Sequence, residues 1–378
     1  MIRAAGEAKP RVLVVDDSPI FSDLLASLIA DDPGLELAGV ASDGARAVAL
    51  TESLRPELVV MDVLMPVMDG LTAIEVIMAS RPTPILVMTA DPRGRTGELS
   101  LEALARGALD LVVKPTTFPL SKQEARRLTA RMRALAEVAV VTHLRGRRHR
   151  WKGEAKAADP SRCEPTARPA TESGSSAGRL SRPPRPPLLD RALPVAAVVA
   201  SIGGPSLLAR VLADLPPTLA GAVVIVQHLQ DGFGDALMAW LGRNTSLPVM
   251  LASEGHRLAA GEVVLAPPGR DLVCGPGGRL SLVSGSDAFC PSGDALLRSF
   301  AAHRPRGTLG LVLSGMGRDG AEGLAALRRA GGRAAVQEPS TAVVGSMPRS
   351  ALSEEPRAEV WAPEAMAAGI LRALGGGA

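Results

Sequence analysis

The sequence predicts an α/β protein made of two doubly wound parallel-sheet domains joined by a flexible linker. Short buried-strand runs alternate with amphipathic helical segments over residues 11–140 and again over residues 194–378. A basic, proline-rich stretch at residues 141–193 separates the two regions and is typical of a linker. A length of 378 residues also favours two or more domains over one.

The composition narrows the classes of function. Aromatic residues make up 2% of the chain and tyrosine is absent, which argues against stacking on nucleic-acid bases, and a net charge of +3 is too small to suggest nucleic-acid binding by itself. The three cysteines have no metal-ligand spacing and fit a reducing compartment. The sequence shows no signal peptide and no apolar run long enough for a membrane helix. We therefore expect a cytoplasmic protein without nucleic-acid binding or membrane insertion.

The first alternating region follows a short N-terminal tail, residues 1–10, and predicts five strands, each followed by a helix. The predicted strands are Arg11–Val15, Leu35–Val40, Leu58–Met61, Pro84–Met88 and Leu109–Val113. The predicted helices are Ser18–Ala30, Gly44–Leu54, Gly70–Ala79, Thr96–Arg106 and Lys122–Val138. Ligands of such sheets bind at the carboxyl ends of the strands.

Five polar side chains fall at those strand ends: Asp16, Asp17, Asp62, Thr89 and Lys114. Three converging carboxylates would repel one another unless a cation joined them, and oxygen ligands favour Mg²⁺. A lysine and a threonine hydroxyl opposite them could bind a phosphoryl group. Each residue alone also has a structural explanation as a helix cap, a turn or a strand end. Together they predict a carboxylate that accepts phosphate.

The motifs V-D-D-S, M-D-V-L-M-P-V-M-D-G, M-T-A and V-K-P-T resemble the response-regulator receiver domain. The resemblance implies a flavodoxin-like fold, phosphorylation of Asp62 by a histidine kinase, and Thr89 and Lys114 as switch residues that sense the phosphoryl group. It also implies that Mg²⁺ lies among Asp16, Asp17, Asp62 and the backbone carbonyl of Leu64. Many receivers carry an aromatic switch residue three positions before the lysine, where this chain has Leu111.

A basic run from Arg145 to Lys152 lies in the predicted linker. Such a run could bind nucleic acid or an acidic partner. Only Trp151 interrupts it with an aromatic ring, so a solvated continuation of the preceding helix is the favoured interpretation.

The second alternating region predicts another α/β domain. Its predicted strands are Val195–Ala200, Ala222–Gln227, Glu262–Ala266, Thr308–Leu313 and Arg333–Val336. Its predicted helices are Pro205–Leu215, Phe233–Leu241, Asp294–His303 and Ala321–Ala330. A hairpin over Leu272–Leu282 is expected to turn at Pro276-Gly277-Gly278.

Three residues just past strands of this region form a candidate catalytic set: Ser201, His228 and Asp319. A serine hydroxyl is a weak nucleophile, so it needs a base to take its proton and a carboxylate to hold the imidazole tautomer. The glycine-rich turns Gly203-Gly204 and Gly315-Met316-Gly317 could present backbone N–H groups to an oxyanion. Alternatively, Ser201 caps a helix, His228 is a core residue and Asp319 belongs to a turn.

The motifs A-S-I-G-G-P, V-Q-H-L-Q-D-G-F, L-A-P-P-G, L-S-G-M-G-R-D-G-A-E-G and V-G-S-M-P-R-S-A resemble the catalytic domain of chemotaxis protein-glutamate methylesterases, which is Rossmann-like. The resemblance implies a triad of Ser201, His228 and Asp319 and an oxyanion region that includes Ile202, Gly203 and Met316. It implies hydrolysis of γ-glutamyl methyl esters on chemoreceptors without a cofactor, and in many members deamidation of glutamines. In that family the unphosphorylated receiver covers the active site.

The chain departs from this family near the nucleophile. Ile202 stands where many members have threonine, Asp271 stands at the nearest match to a common histidine, and residues 289–294 differ from the usual basic segment. These changes keep a second class of function open, a phosphorylation-dependent binding protein with an inactive esterase-like domain.

Overall fold

A computed structural model describes residues 9–116, 118–140, 193–285 and 290–375. The linker predicted at residues 141–193 and its basic run lie outside these ranges, apart from Leu193, as does most of the predicted N-terminal tail. Within the described residues, no helix combines the length and the apolar character needed to cross a bilayer.

The first domain is a five-stranded parallel sheet with the order β2-β1-β3-β4-β5. Its strands are β1 Arg11–Val15, β2 Glu36–Ala41, β3 Leu58–Asp62, β4 Ile85–Thr89 and β5 Asp110–Val113. Its helices are α1 Pro19–Asp31, α2 Gly44–Leu54, α3 Gly70–Ser80, α4 Gly94–Ala105 and α5 Lys122–Ala136. This is the flavodoxin-like order, so the prediction for this domain is confirmed.

Continuous apolar runs form the central strands of the first domain because helices cover both faces of the sheet. Every residue of β3 and β4 is buried. Asp43, Asp69 and Ser121 start helices α2, α3 and α5, because each side chain accepts a backbone N–H of the first helical turn. These caps place the helix starts within one residue of the predicted positions.

The second domain is a seven-stranded parallel sheet with the order β14-β13-β12-β6-β7-β9-β8. Its strands are β6 Val195–Ala200, β7 Ala222–Gln227, β8 Val249–Leu251, β9 Val263–Leu265, β12 Thr308–Val312, β13 Arg333–Gln337 and β14 Glu359–Trp361. Its helices are α6 Gly204–Ala213, α7 Gly234–Arg243, α8 Gly293–His303, α9 Ala321–Arg329, α10 Ser346–Glu354 and α11 Pro363–Ala373. The doubly wound parallel sheet is therefore confirmed here too.

A separate antiparallel hairpin, β10 Asp271–Cys274 and β11 Leu280–Val283, turns through a 3-10 segment at Pro276–Gly278 as predicted. The sequence prediction missed four elements of the second domain: β8, β14, α10 and α11. Strands β8 and β14 are three residues long and lie at the two edges of the sheet, so little of either is buried. Short edge strands carry weak apolar periodicity, which explains why pattern reasoning overlooked them.

The order of the second sheet reverses around β6, which has β7 and β9 on one side and β12 and β13 on the other. The loops after β6, β7 and β12 therefore leave the same edge of the sheet at its topological switch point. Open α/β sheets bind ligands in the crevice at this point.

The two domains are in direct contact. Helix α4 of the first packs against α7 of the second. The Ser206 hydroxyl donates to the Leu104 carbonyl at 3.4 Å, and Arg243 pairs with Glu98 at 3.4 Å. Helix α4 thus joins the first domain to the side of the second on which β7 and its loop lie.

Candidate active site and phosphorylation site

Three carboxylates meet at the carboxyl edge of the first sheet. Asp16 and Asp17 follow β1, and Asp62 ends the neighbouring strand β3. One oxygen of each lies within 4.8 Å of the others, a spacing that a single cation could bridge. The structure therefore brings together the three carboxylates that the sequence predicted as metal ligands.

Lys114 lies among these carboxylates. Its Nζ is 2.6 Å from Asp16 Oδ2 and 2.6 Å from Asp62 Oδ2. Burial lowers the pKa of Lys114, but the hydrogen bonds to the two carboxylates outweigh it and the net pKa is raised. Burial raises the pKa of Asp16, and the bond from Lys114 only partly offsets this. Three carboxylates and one ammonium leave two negative charges, which suits a divalent cation.

Two further predicted residues of this site, Thr89 and Leu64, lie at or just after the ends of strands. The Thr89 hydroxyl is buried at the end of β4 and donates to the Asp91 carbonyl at 3.3 Å. Leu64 follows β3 and donates its N–H to Asp62 Oδ1 at 3.2 Å. Leu111 is buried inside β5, so the usual aromatic switch position is filled here by a core side chain. The aromatic ring nearby is that of Phe21, whose centroid lies 4.8 Å from Lys114 Nζ.

In the second domain, Ser201 and His228 leave adjacent strands side by side. Ala200 and Gln227, the last residues of β6 and β7, are paired in register. The His228 N–H donates to the Ala200 carbonyl at 2.9 Å, and the Ser201 N–H donates to the Ser314 carbonyl at 2.9 Å. Parallel pairing thus fixes the backbones of the predicted nucleophile and base next to each other.

Asp319 comes from the loop after β12 and reaches the same edge. Its Oδ2 is 2.7 Å from His228 Nε2. Burial by itself raises the pKa of Asp319, but the hydrogen bond and charge of His228 and the N–H groups of Asp294 and Gly293 outweigh it, so the pKa is lowered. An ionised carboxylate only accepts, so Nε2 must carry the proton. In the neutral imidazole, Nδ1 is then the basic nitrogen.

The amino terminus of α8 holds the Asp319 carboxylate. Backbone N–H groups of Gly293 and Asp294 donate to it at 2.6 and 2.9 Å, and the Ser292 hydroxyl lies 3.2 Å away. Helix amino termini favour negative charge because their first N–H groups have no helical partners. The arrangement fixes the carboxylate that orients His228.

The structure also tests the plainer explanations for these residues. The N-cap of helix α6 is Gly203, and no side chain caps this helix, so Ser201 does not cap it. The N-cap of helix α9 is Gly320, again without a side-chain cap, and the Asp319 carboxylate instead accepts from the start of α8 and from His228. Neither side chain therefore caps the helix that follows it.

The predicted oxyanion region offers uncommitted backbone donors. Within the described ranges, no group accepts a hydrogen bond from the N–H of Ile202, Gly203 or Met316. Gly203 has φ +76°, and an added methyl group would lie 2.6 Å from Val343. Glycine is therefore needed in the tight turn that brings these donors behind Ser201.

Hydrogen bonds to the neighbouring segments fix the conformation of the loop after β12. Gln337 Oε1 accepts from the Ser314 N–H at 2.8 Å, and the Ser314 hydroxyl donates to the Ile202 carbonyl at 2.7 Å. The Ser346 hydroxyl, at the start of α10, donates to the Gly315 carbonyl at 2.9 Å. These bonds hold Met316 beside the nucleophile turn.

Two departures from the family pattern have structural roles. The Ile202 side chain is buried in an apolar cluster that includes Met316 and Val343, and residues of receiver-side helix α5 such as Leu128 belong to the same cluster. Asp271 is buried and accepts the Ser292 N–H at 2.7 Å. Asp271 thereby supports the helix start that holds Asp319, rather than facing an open pocket.

Sequence reasoning missed the residues that support the triad, above all Ser292, Gly293, Ser314 and Gln227. Ser292 does carry a signal, because serine before an acidic residue and an apolar run is typical of a helix start. Nothing in the sequence shows that this start faces Asp319.

Comparisons with known proteins agree with this architecture. A family model described as CheB methylesterase matches residues 196–370, and one described as response regulator receiver domain matches residues 12–124. The chain is 41% identical over 353 residues to protein-glutamate methylesterase/protein-glutamine glutaminase 2 of Anaeromyxobacter dehalogenans, covering 93% of each chain. It is 39% identical over 346 residues to protein-glutamate methylesterase/protein-glutamine glutaminase 3 of Myxococcus xanthus, covering 90% of this chain and 87% of that one. A solved structure, the CheB methylesterase catalytic domain of Thermotoga maritima, is 26% identical, covers 48% of this chain and 98% of that one, and has a TM-score of 0.46.

Proposed function

Because this chain belongs to the protein-glutamate methylesterase family of response regulators, we propose that its second domain hydrolyses glutamate methyl esters on chemoreceptors with Ser201, His228 and Asp319. The observation that supports this most is the hydrogen bond of 2.7 Å between His228 Nε2 and Asp319 Oδ2, beside the serine at the end of the adjacent strand. We propose residues 11–140 as the receiver, 141–193 as the linker and 194–378 as the catalytic domain.

In this mechanism His228 Nδ1 takes the Ser201 hydroxyl proton while the serine oxygen attacks the ester carbonyl carbon. The negative charge that forms on the carbonyl oxygen of the ester is stabilised by backbone N–H groups of the oxyanion region, Ile202, Gly203 and Met316. Asp319 keeps the Nε2–H tautomer and stabilises the imidazolium. His228 then gives its proton to the leaving methoxide, and methanol departs.

The resulting glutamyl-serine ester is hydrolysed by the same residues. His228 takes a proton from water, the hydroxide attacks the acyl carbon, and the proton returns to Ser201 as the glutamate carboxylate leaves. A glutamine side chain would follow the same path and release ammonia instead of methanol. One triad therefore accounts for both activities in the names of the relatives.

The first domain would regulate this reaction through phosphorylation of Asp62 by a histidine kinase. Asp16, Asp17, Asp62 and the Leu64 carbonyl would hold Mg²⁺, which neutralises the carboxylates and the incoming phosphoryl oxygens. Lys114 already binds Asp62, and Thr89 lies at the end of the adjacent strand. We propose that these two side chains bind the phosphoryl group once it is attached.

A contact between the domains offers a route for that regulation. Val113, the residue before Lys114, donates its backbone N–H to Gln230 Oε1, and Gln230 lies two residues beyond His228. Phosphorylation adds a charge of about −1.5 to −2 beside Lys114. A shift of Lys114 would move Val113 and disturb this contact near the catalytic base.

The test is methanol release from a methylated receptor by the wild type and by Ser201→Ala, both at equal concentration. We expect the substitution to lower the rate by at least about 10³-fold because the nucleophile is lost. Rapid labelling of the wild type by a serine-reactive phosphonate, absent in Ser201→Ala, would locate the nucleophile independently. Equal rates for the two proteins would overturn the triad, and no methanol from either would favour the non-catalytic binding protein.

A further inference from the structure

Gln227 is a polar side chain on an apolar face of the second sheet. It ends β7, and alternate residues of that strand, Val223 and Ile225, belong to the main apolar cluster of the protein. Only 5% of Gln227 is exposed. An amide in such a place loses its hydrogen bonds to water and must find partners in the protein.

The amide nitrogen has two partners, and both belong to the proposed triad. Gln227 Nε2 donates to the carbonyl oxygen of Ser201 at 2.9 Å and to that of His228 at 3.2 Å. The opposite amide orientation would press the Gln227 oxygen against two carbonyl oxygens, so these acceptors determine which way the amide faces. One side chain therefore links the backbones of nucleophile and base.

The amide oxygen, in contrast, has no donor among the described residues although it is fully buried. It lies against Gly204, where an added methyl group would come within 2.3 Å of it. A buried acceptor without a partner destabilises the folded state. This unpaired oxygen offsets part of the stabilisation from the two hydrogen bonds that the amide nitrogen donates, so the net contribution of the amide to stability is small.

The bond to Ser201 has a consequence for the next peptide group. In a planar trans peptide the C=O and the following N–H point in opposite directions. Gln227 Nε2 and the Gly204 N–H, at 2.8 Å, both hold the Ser201 carbonyl oxygen toward the core. The Ile202 N–H therefore points the other way, and no described group accepts from it.

We infer that Gln227 is a positioning residue, whose amide holds the Ser201–Ile202 peptide so that the Ile202 N–H is presented to the oxyanion. The inference rests on the proposed function of the triad. It assigns Gln227 an effect on turnover rather than on substrate affinity, because an oxyanion forms only after substrate is bound.

The first variant is Gln227→Met, which keeps the length of the side chain and removes its donors. We expect kcat for methanol release to fall about 10- to 100-fold, part of the loss seen when an oxyanion donor is removed, with KM changed less than about twofold. The matched control is Gln230→Met, the same exchange three residues along the chain. Gln230 bonds to Val113 and to neither catalytic carbonyl, so basal kcat should not fall.

The second variant, Gln227→Glu, gives a readout that a merely structural role would not move. An ionised glutamate has no proton to donate to the two carbonyls, whereas the protonated form has one. We expect the ratio of variant kcat to wild-type kcat to rise severalfold as the pH is lowered from 8 to 5.5. Because an ionised carboxylate at this buried site also destabilises the fold, kcat is expressed per folded molecule, with the folded fraction measured by circular dichroism at each pH. A residue that matters only for packing would then give a ratio independent of pH.

The outcomes separate this inference from the proposed function. If the wild type releases no methanol, the proposed function fails first. If the wild type is active but Gln227→Met keeps kcat within twofold, or the Gln227→Glu ratio is flat with pH, the positioning role is wrong. Should Gln227→Met not fold, judged by circular dichroism, the pH dependence of Gln227→Glu decides alone.

Discussion

The two sites of this protein balance the negative charge of their carboxylates in opposite ways. Each has at least one buried carboxylate at the carboxyl edge of a parallel sheet: Asp16 and Asp62 in the first domain and Asp319 in the second. In the receiver, three carboxylates lie together and two of them, Asp16 and Asp62, share one lysine, and burial raises the pKa of Asp16. In the catalytic domain one carboxylate, Asp319, receives two helix N–H groups and an imidazole, and its pKa is lowered despite burial.

The difference lies in the ratio of donors to carboxylates. Where carboxylates outnumber donors, the site keeps negative charge and attracts a cation, as phosphoryl transfer requires. Where donors outnumber the carboxylate, the anion is fixed in one geometry and serves to orient another residue. Lys114 carries its charge at the end of a long side chain, whereas the N–H groups of α8 are fixed in the helix backbone. We therefore expect the first site to rearrange on phosphorylation and the second to keep its geometry.

The largest expected effect comes from removing the charge of the fixed carboxylate. Asp319→Asn should lower kcat for methanol release by about 10³- to 10⁴-fold, because an amide NH₂ facing Nε2 would force the proton onto Nδ1 and leave Ser201 without a base. Steady-state methanol release measures this. Asp294→Asn is the matched control, since the Asp294 side chain accepts the Gly323 N–H and only its backbone N–H, which the substitution keeps, donates to Asp319. A loss below about tenfold for Asp319→Asn would remove the contrast between the two sites.

The next effect concerns the carboxylate site of the first domain, which we expect to rearrange on phosphorylation. Asp62→Asn should abolish stimulation of methanol release by a small-molecule phosphodonor while keeping basal activity within about threefold, because the phosphate acceptor is lost but the triad is intact. Asp69→Asn is its control. Asp69 lies on the same connection and caps α3, and asparagine caps helices equally well. Stimulation that persists in Asp62→Asn would mean that the acceptor is another residue.

The smallest effect is a difference in acid titration between the two sites. Followed by carboxyl-carbon NMR, Asp16 should titrate above its ordinary pKa of about 3.9 and Asp319 below it. The lowered pKa of Asp319 stabilises the folded chain above about pH 3.9, and this contribution disappears as the pH falls through the folded-state pKa. Asp16 has the opposite sign, because its raised pKa makes folding less favourable as the pH rises through it. Added Mg²⁺ should move the Asp16 titration downward and leave that of Asp319 alone.

Much of the fold and of the candidate site could be predicted because buried parallel strands have a recognisable apolar pattern and end at a known edge of the sheet. Buried strand runs such as Val195–Ala200 and Ala222–Gln227 agree with the predicted bounds residue for residue. A residue that follows such a run must emerge at the carboxyl edge of the sheet, which is why Asp62, Ser201 and His228 could be chosen from the chain alone. The edge strands β8 and β14 could not, because strands of three residues carry almost no periodic signal. The prediction also missed helices α10 and α11, although each has an apolar face that is buried.

What the sequence by itself determined is therefore the set of strands, their polar ends and the family motifs, since these depend on residues adjacent along the chain. Only the tertiary structure showed that α8 presents its first N–H groups to Asp319, 25 and 26 positions away in sequence. The same holds for Gln227, whose amide meets the carbonyl of Ser201 from 26 positions away. Hydrogen bonds between distant segments depend on how helices pack against the sheet, and local sequence patterns carry no record of that packing.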